Sequence, residues 1–342
     1  MIKVSSFGKF LDQPILTAKL NQKIPVVLTL ASAGFVANEV KNAKPEDKRK
    51  TAIKTSIILG ATAISAINAP KIANFITGRP AQKTLKQIKQ NNTEIISNIL
   101  KNNKFEENIK KILEKAKDKI LTIKEVDTLN KKTSTDVLNK IIPPPDNITS
   151  KDLFREIGWL SIFGAVPVVG GVAGGIAADM ATEKDWKPKV PNKIKEGVYQ
   201  YLANIFMCNV GAGIALGILE HKNIKSKTAR CVGMVSGILL TGVIGGSAIA
   251  NFISNKLISP LLSKNNKQKD TRTPELLDLG LHSDDIATVS LLSGLKWIEP
   301  SLPLLYAISG YRAGTGYRNS DKHVKKNFDK NTTKSHFLRH KC

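Results

Sequence analysis

The fold class predicted from this sequence is all-α: a multi-pass helical membrane protein with a duplicated helical hairpin and an amphipathic helical insert. Three observations carry that reading. Uncharged runs at 157–178, 197–219 and 231–255 hold 22, 23 and 25 residues, and each meets the roughly 20 residues a helix needs to cross a bilayer's hydrocarbon core. Residues 51–77 align without a gap on 228–254, sharing Thr51/Thr228, Ala52/Ala229, Gly60/Gly237, Ile67/Ile244 and the run Ile72–Ile76 against Ile249–Ile253. Between these copies lies a polar stretch whose apolar residues recur at spacings of three, four and seven, the period of helices with one buried face.

The bulk composition hides this pattern. At 42% hydrophobic the chain resembles a soluble protein on average, but its apolar residues are gathered into blocks, and Lys, Asn and the acids fill the gaps. Its 52 basic against 28 acidic residues give a net charge of +24, which suits an anionic membrane surface, the loops of a membrane protein or nucleic acid. Aromatics make up only 6%, so the basic stretches lack the stacking rings of single-strand binders, and lipid is the expected partner ahead of nucleic acid. Cys208, Cys231 and Cys342 form no CxxC pair and imply no disulfide framework.

Along the chain, residues 1–23 read as a polar N-terminal segment. Residues 24–78 follow as a first apolar hairpin, with arms at 24–38 and 55–69 around the loop KNAKPEDKRK. Each arm holds 15 uncharged residues, short for a span, and Pro70 is expected to kink or restart the second arm. The apolar start of the first arm ends in Ala31-Ser32-Ala33, like a signal-peptidase site, but it aligns with residues inside the second hairpin and reads as part of the fold. Residues 79–150 form the basic amphipathic segment. Between 78 and 156 it carries 17 basic and 11 acidic residues, and it reads as a small helical bundle or partner-binding coil ahead of a membrane-surface element. Residues 151–311 hold the membrane helices with the second hairpin copy, and 312–342 a basic polar tail, expected to be cytoplasmic by the positive-inside rule.

Candidate sites are few. Glycines four apart place small residues on one helix face, where backbones can approach closely: Gly170/Gly174, Gly171/Gly175, Gly213/Gly217, Gly233/Gly237 and Gly242/Gly246. Lys296 and Glu299 stand three apart in an apolar segment, as an intramembrane pair or as an interfacial pair beside Trp297. Pro167, followed by Gly170-Gly171, is a candidate helix break that would leave two half-helices lining a cavity. GYRAGTGYR at 310–318 reads as a loop at a helix end with basic anchors. His336 and His340, with Cys342 beyond, lack a fourth metal ligand. No catalytic motif, metal set or cofactor fingerprint appears.

The expected role is therefore non-enzymatic: an integral membrane protein with a structural or interaction function, glycine-faced helices packed in the bilayer, and basic segments engaging anionic headgroups, a protein partner or a second copy. The alternatives are a transporter or pore built from the two hairpins, and a soluble protein that inserts hairpins on demand. The expected location is a bacterial inner membrane. Topology poses one conflict, because a single crossing by 157–178 between two spanning hairpins puts the basic loops 41–50 and 222–230 on opposite sides. The short first arms favour a first hairpin that does not fully span.

Overall fold

The computed structural model describes residues 4–143, 150–224, 227–262, 272–274 and 300–316, and every regular element among them is helical. Val4–Leu11 (α1) leads into Pro14–Asn42 (α2), which turns through Pro45–Asp47 into Lys48–Thr77 (α3). The arms of this first hairpin are twice as long as their uncharged runs. Counting the turn with the second arm, they hold 29 and 33 residues, long and apolar enough to cross a membrane, because helix continues through flanking residues such as Ile15 and Ala18 whose apolar faces are buried. Length therefore no longer argues against spanning. Nor does Pro70 end the second arm, since α3 runs unbroken to Thr77 and stops at Gly78, whose φ of 67° supplies the left-handed C-cap.

The insert folds into four short helices, Leu85–Asn102 (α4), Glu107–Ala116 (α5), Ile123–Lys132 (α6) and Thr135–Ile141 (α7). Local signals fix their starts. Thr84 with Gln87, and Thr122 with Glu125, close reciprocal capping boxes that satisfy otherwise orphaned backbone N–H groups, and Ser134 caps α7. Their apolar faces meet in one core that includes Ile96, Ile99, Ile109, Leu113, Val126, Leu129 and Leu138. The Gln13 side chain clamps this domain to the α1–α2 junction, accepting from Leu121 N–H at 2.7 Å and donating to Leu121 C=O at 3.0 Å.

The second half supplies the rest of the bundle. Ser150–Thr182 (α8) is one helix through Pro167, so the candidate half-helix break is absent. Proline removes a backbone donor, yet tertiary packing can hold such a helix together, and here the Pro167 backbone lies directly against Gly310. Val190–Tyr201 (α9) passes through a π-helical stretch, Leu202–Phe206, into Met207–His221 (α10). Lys227–Ile238 (α11) returns through π-helical Leu239–Gly246, Ser247–Ile253 (α12), π-helical Ser254–Ile258 and Ser259–Leu262 (α13). Leu302–Thr315 (α14) completes the packing. The glycines of GYRAGT thus belong to a packed helix rather than to a loop, and only Gly316, at φ 67°, leaves it.

Contacts fix the helix directions. α3 and α8 are antiparallel, with Lys54 beside Asp179 at one end and Asn74 beside Trp159 at the other. The α9–α10 helix is antiparallel to α8, with Lys193 at Asp179 and Gly213 at Ile157. In turn α11–α12 is antiparallel to α9–α10, with Gly233 at Leu219 and Ser247 at Tyr199. Two consequences follow from these contacts. The basic stretches 41–50 and 222–224 lie at opposite ends of the bundle, and the two IANF segments, 72–75 and 249–252, run in opposite directions.

Candidate functional site

The centre of the bundle is built from absent side chains. On α8, Gly170 and Gly174 face α3, where an added Cβ would sit 2.1 Å from Ser65 Oγ and 2.6 Å from Ala61 Cβ. Gly171 and Gly175 face α14, where it would fall 1.8 Å from Gly310 O and 2.0 Å from Gly314 O. α8 is thus wedged between two neighbours with backbone against backbone. The second hairpin packs in the same manner. Gly237 meets the Gly211 carbonyl, Gly242 meets Cys208, Gly246 meets Ala203, Gly233 meets Leu219, and Gly213 meets Ile157 and Phe154. Gly217 lies half-buried on α10.

Polar layers close this dry seam at both ends. At one end the Trp159 indole donates to Asn74 Oδ1 at 2.7 Å, Arg79 pairs with Glu156 at 2.7 Å, and the guanidinium stands 5.1 Å over the Trp159 ring. At the other, fully buried Asp179 faces the ammonium groups of Lys54 at 2.6 Å and Lys193 at 3.0 Å. Two ammonium groups thus share one buried carboxylate. Lys193 Nζ also donates to Gly314 O at 2.6 Å, joining α9 to α14. Glu183, just beyond α8, gathers Lys50, Lys54 and Lys189. Burial alone would raise the Glu183 carboxyl, but the hydrogen bond from Lys189 and the charges of Lys54 and Lys189 outweigh it and bring it down to about 2.

Both layers can be measured along the helices. Lys54 to Asn74 and Trp159 to Asp179 are each 20 residues, so at 1.5 Å per residue the layers stand about 30 Å apart. That is the thickness of a bilayer's hydrocarbon core.

A second polar feature runs down the α9–α10 helix. Glu196 pairs with Arg272 at 3.3 Å, Gln200 Nε2 donates to Glu196 Oε1 at 2.8 Å, and Asn204 Nδ2 donates to Gln200 Oε1 at 2.9 Å. All four side chains are buried, and the ladder ends inside the π-helical stretch 202–206. One turn further on, the Asn209 amide is buried with neither its N nor its O partnered. Arg272 also stacks 4.4 Å over Tyr199 and exchanges two hydrogen bonds with Asn251. Asn251 of the second IANF segment therefore sits in an Asn, Arg, aromatic and Glu cluster, as Asn74 of the first does.

A scan against family models and searches of curated proteins and of solved structures find no match for this chain. Among the described residues every regular element is helical, and five helices are long and apolar enough to cross a membrane.

Among the sequence-derived candidates, the structure brings the α8 glycines together with Gly310 and Gly314, which spacing had not paired with them. Lys296, Glu299, the two tail histidines and Cys342 lie outside the described residues. Among the described residues no three His, Cys, Asp or Glu side chains are grouped to hold a metal ion. The Asp179–Lys54–Lys193 tie and the Glu196–Gln200–Asn204 ladder escaped the sequence reading. A usable signal existed, because Glu196, Gln200 and Asn204 repeat at i, i+4 and i+8 on one face.

Proposed function

We propose that this chain is a multi-pass integral membrane protein with a non-enzymatic, structural or interaction role, in which a glycine-packed core holds five spanning helices as a fixed scaffold. The observation that carries it is the 30 Å separation of two polar layers around a dry Gly/Ala seam. On this reading the first hairpin spans, and the hairpins are copies of one duplicated unit inserted in opposite directions. Each copy then ends its IANF segment at an Asn–Arg–aromatic–Glu cluster at its own face of the membrane. The basic tail follows α14 at the Asp179 end, which places that end, with loops 43–47 and 183–189, in the cytoplasm of a bacterial cell. The insert domain then stands on the other face, and its basic surface, like the loops, meets anionic headgroups or a protein partner.

The test is membrane sidedness. With Cys208, Cys231 and Cys342 replaced, single cysteines at Lys44 and Asn223 are labelled with an impermeant maleimide before and after permeabilisation. The expected result is labelling of the two positions from opposite sides, in protein that resists carbonate extraction. Labelling of both from one side sinks the topology, and release by carbonate sinks the membrane reading itself.

One observation favours a second reading, a transport path. A buried polar ladder on a helix with a π-helical stretch, followed by the unpartnered Asn209, is the kind of intramembrane polar chain that solute or proton paths use. Flux of ions or protons into liposomes, lost in Gln200→Leu and Asn209→Leu variants, would select it.

A further inference from the structure

A cleft of about 730 Å³ opens between α2 and α3 at the Asn74 end, within the roughly 300–1,000 Å³ typical of small-molecule sites. Its walls divide by depth. Ile24, Pro25, Ile67 and Pro70 form an apolar part towards the centre of the bundle, while Lys71, Arg79 and Lys83 line the part at the level of the polar layer. Pro25 and Pro70 both line it, and each lacks the backbone donor that would have tied its helix locally. Phe75 stands beside the opening at 88% exposure, an unfavourable position for a ring in water and a natural one against an acyl chain.

The charges are uneven in a useful way. Glu156 pairs with Arg79, and among the described residues no carboxylate lines the cleft and neither Lys71 nor Lys83 forms an ion pair. Two uncompensated ammonium groups therefore overhang an apolar slot at headgroup depth. We propose that this cleft binds one anionic phospholipid, with its phosphate held by Lys71 and Lys83 and an acyl chain running down between α2 and α3 over Ile67 and Ile24. The inference rests on the membrane reading above and adds a defined lipid site to it. A phosphate at headgroup depth with a chain below it matches both the sign of the rim and the apolarity of the floor.

Native mass spectrometry of the full-length protein in detergent, doped with equal phosphatidylglycerol and phosphatidylcholine, tests it. The wild type is expected to retain one phosphatidylglycerol in preference. The Lys71→Ala/Lys83→Ala variant is expected to bind it roughly thirtyfold more weakly, two interfacial cations being removed. Both lysines are exposed, so the variant is expected to keep its helical circular dichroism and its resistance to carbonate. Equal retention of the two lipids, or an unchanged variant, overturns the site. Binding of soluble glycerol phosphate as tight as that of the lipid overturns it in favour of a free anion. If carbonate instead releases the wild type, the membrane reading has failed, and that outcome is read independently of lipid retention.

Discussion

The insert and the bundle are both helical, yet their closest helix contacts are made by different residues. In the insert, Ile96, Leu113 and Leu129 are fully buried and the lysines point outward. Within the bundle the close contacts are made by Gly and Ala, while Leu30, Ile64, Val169 and Ile244 lie about two-thirds exposed. Large side chains go where the surroundings accept them. On the membrane reading proposed above, one chain has been written for two solvents, water around 85–142 and hydrocarbon around the helices on either side of it.

The largest effect that would break this contrast is expected at the glycine seam. Gly171→Val with Gly175→Val puts branched side chains where even a Cβ meets the α14 backbone below 2.1 Å. Helices cannot yield as a flexible side chain would, so the cost exceeds ordinary overpacking, about 4 kcal/mol or more, and detergent-purified protein should lose its cooperative melt. Next comes Ile64→Lys, midway between Lys54 and Asn74 and 66% exposed. On a water-facing surface that change would be nearly neutral, whereas at the centre of a span it costs about 3 to 4 kcal/mol, read as reduced membrane insertion. An insensitive Ile64→Lys protein would remove the hydrocarbon half of the comparison.

In the insert the logic reverses. Leu113→Ala is expected to cost about 3 kcal/mol by leaving a cavity, with the loss seen in local hydrogen exchange over 85–142 while the bundle amides stay protected. Thr122→Ala should cost about 1 kcal/mol, since it removes one half of a capping box at the start of α6. The smallest effect is a pH dependence at Glu183. Its carboxyl is held at about 2 against an ordinary 4.5, so its contribution is fully present above pH 4.5 and is lost as pH falls from there towards 2. Melting of wild type and Glu183→Gln across that window should converge as the pH drops, and parallel curves would remove the Lys50–Lys54–Lys189 cluster from the stabilising ties.

Much of this was legible in the residues. Uncharged runs of 22 to 25 residues announced the second-half helices, and three- and four-residue spacing announced the insert, because both signals are local. Where the reading failed, tertiary packing had overridden a local rule. Pro70 and Pro167 look like breaks, yet both lie inside continuous helices, Pro167 buried and Pro70 half-buried. Gly310 and Gly314 looked like loop residues, because the Arg, Ser and Gly around them lower the hydropathy of α14. Only the matching glycines on α8, more than 130 positions earlier, give them a packing role. Lys54 and Asp179 are likewise 125 positions apart, and no spacing rule links them. Their 20-residue distances to Asn74 and Trp159 are visible in the sequence only once the helices are known to be antiparallel.

The double glycine face of α8 also sets an order of events during synthesis. A helix with bare glycines on two faces completes its close contacts only when both neighbours are present. α3 precedes it, but Gly314 is made 139 residues after Gly175. At about 5–20 residues per second, α8 waits on the order of ten seconds in the bilayer with one flank open. The last described helix to leave the ribosome is therefore the one that locks the bundle.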